Sequence, residues 1–281
     1  MTDLPLPLTA GETIAQALLR PVLDVSERRI LLGHALGLTR IELVTESERV
    51  LTSEQAKRVS DLYARRFGGE PIAYLIGARE FYGLRFEITP AVLIPRPDTE
   101  LLVDLAIERL PRQGRVLDMG TGSGAIAIAL AHTRRDACVI ALDLSEAALA
   151  VAKRNAAAHS VQVQLFRSDW FDALSDQRFE MIVANPPYVV AGDHHLGEGD
   201  LRFEPIDALT DHADGLSALR QIVNGAWRFL EPGGWLLMEH GYDQSAAVRA
   251  LLGTTEFVEI QSWQDLSGIE RVTGARVPGK S

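Results

Sequence analysis

Asn185-Pro186-Pro187-Tyr188 follows directly on the apolar run Met181-Ile182-Val183-Ala184. An apolar strand that stops at a polar residue and two prolines presents its last groups at the carboxyl end of a sheet, where open α/β folds bind ligands. Neither proline carries a backbone N–H, and Pro187 drives Pro186 toward an extended conformation. The Asn185 amide and the carbonyl oxygens beside it then form a stiff set of acceptors, suited to holding an NH2 group still while it reacts. Taken alone, the tetrapeptide also reads as a proline-terminated strand end with an incidental Asn.

A second candidate is the turn Gly120-Thr121-Gly122-Ser123-Gly124, which follows the short strand Arg115-Val116-Leu117-Asp118 and opens a helix. Backbone approaches a nucleotide-like ligand closely at such a place, and each glycine is expected to leave the ligand space that a Cβ would fill. The run Gly120 to Ala125 also fits the dinucleotide fingerprint, so the turn by itself leaves NAD and S-adenosylmethionine both open. Asp143, at the end of the next strand, is placed to accept from the two ribose hydroxyls of either. Ser168-Asp169-Trp170-Phe171, after the third strand, adds a carboxylate for an exocyclic amine and an aromatic face for an adenine ring. Core filling is the competing reading of Trp170.

The elements that must carry these groups fall into two parts. From Thr9 to about Ile76 the apolar spacing is helical throughout (Ile14, Leu18, Leu19; Ile30, Leu31; Val59, Leu62, Tyr63), with a good helix start at Thr52 or Ser53 and a stop at Gly68-Gly69. Ser26 with Arg29 makes a poor capping box. Phe81 to Ile88 reads as a short hairpin with a glycine at its turn. Beyond Gly114 strands and helices alternate: strands at 115–118, 138–143, 161–166, 179–184, 235–239, 257–261 and 270–276, and helices near 124–131, 145–157, 216–230 and 245–252. The expected fold class is α/β: a Rossmann-like, mainly parallel, seven-stranded sheet with a small all-α N-terminal domain and a β-hairpin linker. The domains are expected at 1–77 (helical), 78–95 (hairpin linker) and 96–281. Val189 to Gly215 is too long for an ordinary connection and reads as a lid or binding loop.

Composition narrows the classes. A 281-residue chain with 47% hydrophobic and 23% charged residues is that of a globular protein. No transmembrane-length run and no basic N-terminal export signal is read, and Cys138 is the only cysteine, expected as a small buried hydrophobe; a cytoplasmic location follows. The net charge of -10 counts against a surface built to neutralise many phosphates. Asp193-His194-His195 with Glu198 superficially offers metal ligands but reads as solvated loop, so no metal is expected. Arg96, between two prolines, faces either solvent or a ligand. His240 either lines a substrate entrance or is structural, and Phe203-Glu204-Pro205 is expected to shape the lid.

Together the glycine turn, Asp143, Ser168-Asp169-Trp170 and Asn185-Pro186-Pro187-Tyr188 resemble a class I S-adenosylmethionine-dependent methyltransferase acting on a planar NH2 group. With Tyr74-Leu75-Ile76-Gly77, Glu80-Phe81, Leu93-Ile94-Pro95-Arg96-Pro97-Asp98-Thr99-Glu100, Phe203-Glu204-Pro205 and Glu239-His240-Gly241, the chain resembles the HemK-type protein-(glutamine-N5) methyltransferases. Residues 94–100 carry most of that specificity, because Asn-Pro-Pro-Tyr is shared with adenine-amino DNA methyltransferases and with a ribosomal-protein methyltransferase. The resemblance implies S-adenosylmethionine as cofactor, S-adenosylhomocysteine as product, and peptide chain release factors as partner, modified at the glutamine of a Gly-Gly-Gln loop. A monomer without nucleic-acid or membrane partners is expected, and residues 1–77 read either as a substrate-recognition domain or as a structural appendage. On this reading Gly120, Thr121, Gly122, Ser123, Gly124, Asp143, Asp169, Trp170 and Asn185 bind the cofactor. Asn185, Pro186, Pro187 and Tyr188 hold the substrate: the Asn185 side-chain oxygen and the Pro186 carbonyl accept its two N–H bonds and Tyr188 packs on the planar amide. A dehydrogenase, a nucleic-acid amino methyltransferase and a non-catalytic binding adaptor are the competing readings.

Overall fold

In the computed structural model, which describes residues 7–279, the chain divides into two compact units, one ending at Gly77 and the other starting at Ala78. The first is all helical: α1 (Ile14–Leu19), α2 (Val25–Leu36), α3 (Arg40–Thr45), α4 (Ser53–Phe67) and α5 (Ile72–Ile76). Thr13, Thr39 and Thr52 each close a capping box with Gln16, Glu42 and Gln55, which satisfies donors that a helix start leaves unpaired. The poor box at Ser26 is bypassed, since Asp24 caps α2 by accepting from the Ser26 amide. Ile14, Leu31, Leu32, Leu43, Val59 and Tyr63 form the core of this unit.

The second unit opens with the antiparallel hairpin β1 (Ala78–Phe81) and β2 (Leu84–Glu87). Tyr82 and Gly83 both have positive φ, 51° and 70°, the mirror-image turn that a two-residue hairpin favours. After a single 3-10 turn at Pro97–Thr99 come α6 (Glu100–Arg109), β3 (Arg115–Met119), α7 (Ala125–Thr133), β4 (Cys138–Asp143), α8 (Glu146–Ala158), β5 (Gln164–Arg167), β6 (Phe179–Ala184), α9 (Ile206–Leu209), α10 (Ser217–Phe229), β7 (Leu230–Glu239), α11 (Ser245–Gly253), β8 (Val258–Gln264) and β9 (Glu270–Arg276). Seven strands form one sheet in the order β5-β4-β3-β6-β7-β9-β8, parallel except for β9, which runs antiparallel between β7 and β8.

Period-two burial builds the core. Leu117, Met119, Ile140, Leu142, Ile182, Ala184, Leu236 and Met238 share one face and pack with Leu219, Ile222, Val223 and Ala226 of α10 and Val248 and Leu252 of α11. Residues 125–131 of α7 are buried all round, as a helix without a polar face must be. Strand order reverses between β3 and β6, whose registers put Met119 level with both Leu142 and Ala184. The ends of β3, β4 and β6 therefore open at one height around the switch point, where a ligand crevice is expected.

Three local expectations change. The strand expected at 161–166 pairs only from Gln164, because the Val161 amide donates to Ala156 and finishes α8 instead. The strand expected at 235–239 begins five residues earlier, at Leu230; the connection 189–215 before it holds two 3-10 turns and α9, and Val189 bridges Thr210. Cys138 is half-buried at the start of β4 rather than enclosed.

Candidate active site

The glycine turn is fastened to the neighbouring strand. Gly120 and Thr121 both donate to the Leu142 carbonyl at 2.9 Å, and Gly122 donates to Oδ2 of Asp143 at 2.8 Å. The other Asp143 oxygen accepts from the Ser145 amide at 2.9 Å, so each retains one acceptor position, and burial raises this carboxyl's pKa. The three glycines serve different ends. Gly120 and Gly122 hold φ of +73° and +55°, and a Cβ on either would meet no protein atom, projecting into open space. At Gly124 (φ +82°) a Cβ would lie 2.8 Å from Cδ1 of Ile128 and 3.1 Å from Cβ of Ala152. Gly120 and Gly122 thus face open space, and Gly124 has a reason of its own to lack a Cβ, the approach of α7 to α8.

Beneath the turn, Asp118 is fully buried. Its Oδ2 accepts from the Thr121 hydroxyl at 2.6 Å and the Ala127 amide at 3.2 Å, Oδ1 has no partner, and burial pushes its pKa up to about 7. Asn155 of α8 joins the turn to the hairpin: its Nδ2 donates to the Ser123 and Glu87 carbonyls, and its Oδ1 accepts from the Glu87 amide at 2.7 Å.

After β5, Trp170 adopts a positive φ of 44°, unusual for an aromatic residue. Ser168 holds that turn, donating to the Trp170 carbonyl at 2.9 Å and accepting from the Ala173 amide at 3.0 Å. Phe171 stacks on Phe229 with ring centroids 5.0 Å apart, and it lies directly against Gly225 of α10, where a Cβ would collide with its ring.

At the end of β6, Nδ2 of Asn185 donates to Oγ1 of Thr99 at 3.3 Å. The Tyr188 hydroxyl turns inward and donates to Oε1 of Glu239 at 3.4 Å, and burial raises its pKa well above the usual phenol range. Glu239 is itself buried, with Oε2 unpaired and its pKa pushed up to about 7, chiefly by burial. Arg96, its side chain 32% exposed, pairs with Glu204, whose buried carboxylate also accepts from the Ile94 amide at 2.9 Å. The loop 189–215 is thereby clamped onto residues 94–96. His240 is fully buried, with Nδ1 2.9 Å from the Gly241 carbonyl and Nε2 2.7 Å from Oγ1 of Thr273, and is structural rather than an entrance residue. Asp193, His194 and His195 gather within 4.8 Å on an exposed turn, without Glu198.

These strand ends enclose a cavity of about 410 Å³. Gly120, Gly122, Asp143, Asp169, Trp170, Asn185 and Pro187 line it; Thr121, Ser123, Gly124, Pro186 and Tyr188 adjoin these residues in sequence without lining it. Leu93 and Pro205, from stretches singled out in the sequence, line it too, and further wall residues carry no readable signal: Leu144 and Ser145 after β4, Ala91 and Val92 after the hairpin, and Asp207 and Ala208 of the long loop. A run of Asp-Leu-Ser opening a helix gives no reason to single out Leu144, and contacts across more than a hundred residues, such as Ile94 with Glu204, leave no periodic trace.

Residues 97–198 match the Methyltransferase small domain family and residues 10–77 the PrmC N-terminal domain family. The release factor glutamine methyltransferase of Burkholderia pseudomallei is 51% identical over 287 residues, 99% of each chain, and that of Neisseria gonorrhoeae 48% identical over 88% of this chain and 91% of its own. Among solved structures, the Thermus thermophilus 16S rRNA N2 G1207 methyltransferase in complex with AdoMet and guanosine aligns with a TM-score of 0.54 and 25% identity, over 71% of this chain and 49% of that one. The parallel sheet with one antiparallel strand is thus the Rossmann-like class I methyltransferase fold, and the chain belongs to the release factor glutamine methyltransferase family.

Proposed function

We propose that this protein transfers a methyl group from S-adenosylmethionine to the side-chain amide nitrogen of the glutamine in the Gly-Gly-Gln motif of peptide chain release factors. The observation that carries the reading is the match along 99% of both chains to a relative of that activity. The cavity suits the donor: about 410 Å³, two glycines whose missing Cβ atoms face its open space, and a carboxylate with an acceptor position left on each oxygen. Gly120 and Gly122 would admit it, Asp143 would hold its ribose, and Asp169 and Trp170 its adenine; Thr121, Ser123 and Gly124 act by holding the turn. Bound there, S-adenosylmethionine supplies an electrophilic methyl on a sulfonium.

The chain's own task is to aim a weak nucleophile. A carboxamide lone pair is delocalised into its C=O, so the nitrogen must be held and turned. Oδ1 of Asn185 and the Pro186 carbonyl accept the two substrate N–H bonds, Pro187 stiffens the turn, and Tyr188 backs it and excludes water. Alignment of this kind supplies up to ~7–11 kcal/mol of barrier reduction in favourable cases. No side chain need take the proton first, because the nitrogen becomes acidic as the methyl arrives. A site built for two amide donors also disfavours a misfit side chain by ~1–3 kcal/mol for each group left unpaired.

We read residues 1–77 as the substrate-recognition unit, 78–95 as its link and 96–281 as the catalytic unit, acting as a monomer in the cytoplasm without nucleic acid or membrane. The net charge of -10 counts against a nucleic-acid surface, and no helix among the described residues is long and apolar enough to cross a membrane. The test is parallel transfer of radiolabelled methyl from S-adenosylmethionine to purified release factor, ribosomal protein and DNA. Label on the release factor, lost when its glutamine is replaced, is expected; label on DNA or ribosomal protein alone overturns the reading.

A further inference from the structure

Gln244 stands at the N-cap of α11, a position that favours Ser, Thr, Asp or Asn, and its side chain makes no capping bond. It reaches away from the helix instead. Its Oε1 accepts from the Gly241 amide at 2.8 Å, and its Nε2 donates to the Tyr188 carbonyl at 2.9 Å and the Gly215 carbonyl at 3.2 Å. These partners fix the orientation of the carboxamide, since a backbone N–H only donates and a carbonyl only accepts. One side chain thus joins the two ends of the connection 189–215: Tyr188 directly before it and Gly215 at its close. The junction is tight. Gly215 holds φ of +74°, and a Cβ there would lie 2.6 Å from the Tyr188 carbonyl oxygen and 2.9 Å from Nε2 of Gln244. On its other side the Gly215 amide donates to Oδ1 of Asp211 at 3.0 Å. Tyr188 is therefore held twice from one short segment, by its hydroxyl at Glu239 and by its carbonyl at Gln244.

We infer that Gln244 is a positioning residue for methyl transfer: its NH2 group ties Tyr188, the last residue of the Asn185 turn, to the end of the loop that supplies part of the cavity wall. The inference rests on the function proposed above. Gln244 does not line the cavity, but what it ties does: Pro187 precedes Tyr188, and Pro205, Asp207 and Ala208 lie within the loop. The middle of that loop is held by Glu204 on Ile94 and Arg96. Backbone bonds from the Val189 amide to Leu209 and from the Ala191 amide to Ala213 lace its two arms together, and Gln244 fastens the laced base to the start of α11. Loss of that tie leaves the Tyr188 hydroxyl held but its backbone free to drift, and with it the Pro186 carbonyl two residues earlier. Gln244→Met removes the three hydrogen bonds at similar volume. Gln244→Glu keeps the shape and the Gly241 bond, but sets a carboxylate oxygen against two carbonyl oxygens.

The experiment measures methyl transfer by the full-length protein to whichever acceptor the wild type labels, with S-adenosylmethionine affinity of each variant by calorimetry. Wild-type transfer to the release factor tests the proposed function separately from the variant ratios. Gln244→Met is expected to lower kcat ~10–100-fold, up to the size of a loss through a misplacement remote from the chemistry, with cofactor affinity and KM held within a few-fold. Gln244→Glu should fall further than Gln244→Met, because it opposes the two carbonyls where methionine merely leaves them unpaired. Wild-type kcat in Gln244→Met overturns the inference. So does a Gln244→Glu enzyme more active than Gln244→Met, which would mark the side chain as a matter of shape. Cofactor affinity that falls in step with kcat also overturns it, as the sign of a general support for the fold. Should Gln244→Glu fail to fold, the kcat and affinity of Gln244→Met decide; should Gln244→Met fail, those of Gln244→Glu do.

Discussion

At the ends of β3 and β4 the groups that shape the cavity are held by neighbours within one β-α-β stretch: Thr121 by Asp118, three residues away, and Gly122 by Asp143, twenty-one away. At the end of β6 the partner of Asn185 is Thr99, eighty-six residues away, and the partner of Tyr188 is Glu239, fifty-one away. The first half of the site is a local fold, able to close as soon as its two strands pair. The second exists only when segments 97–99, 185–188 and the end of β7 have all docked. A binding function can therefore survive damage that removes catalysis, and the two halves are open to separate tests.

The largest separation is expected from Asn185→Ala. Loss of one preorganised polar group at a reacting centre costs on the order of 10²–10³ in kcat, and cofactor affinity should fall only moderately. Steady-state methyl transfer beside calorimetry checks this, and near-normal turnover would remove the turn from the mechanism. Within the local half, Gly124→Ala and Gly120→Ala should part company. Both place an alanine at positive φ, a cost of ~1–2 kcal/mol. Gly124→Ala adds the clash with Ile128 and Ala152 and should give the lower denaturation midpoint, whereas Gly120→Ala should give the greater loss of cofactor affinity.

A smaller effect is the pH dependence of kcat. Glu239 has its pKa raised to about 7, chiefly by burial, with Asp98 raising it further and Thr99, Tyr188 and Arg271 opposing. The Tyr188 hydroxyl donates to its Oε1, a bond that strengthens as the carboxyl ionises, so kcat should climb through a limb near 7 that Glu239→Gln lacks. The smallest effect is on stability. Asp118 in the fold has its pKa raised from 3.8 to about 7, so the folded state binds more protons than the unfolded one between those values. The contribution of Asp118 to stability then declines as pH rises from about 4 to about 7. Thermal melts of Asp118→Asn and wild type across that window should diverge in this sense; identical slopes would place the proton elsewhere.

The same division explains how far the sequence could be read. The seven strands, the capping Thr52, the glycine turn and Asp143 are encoded by spacing inside short stretches, and the structure has them there, with β5 starting three residues late at Gln164 and β7 five residues early at Leu230. The pairs Asn185 with Thr99 and Tyr188 with Glu239 meet across 86 and 51 residues, and no local spacing announces them. Arg96 was open between solvent and ligand until Glu204 closed on it. Gly124 shares its pattern with Gly120 and Gly122, and only the packing of Ala152 tells them apart.

Phe171 resting on Gly225 gives one helix position an influence out of proportion to its place. No residue with a side chain fits at 225 without displacing that ring, and the ring is the anchor of the segment that presents Asp169 and Trp170. A substitution in the middle of α10, remote in sequence from every residue of the pocket, would then emerge from a genetic screen as a cofactor-affinity variant. On the proposed assignment of Asp169 and Trp170 to the donor's adenine, mutational tolerance at 225 reports on donor affinity, and a survey confined to ligand contacts would overlook it.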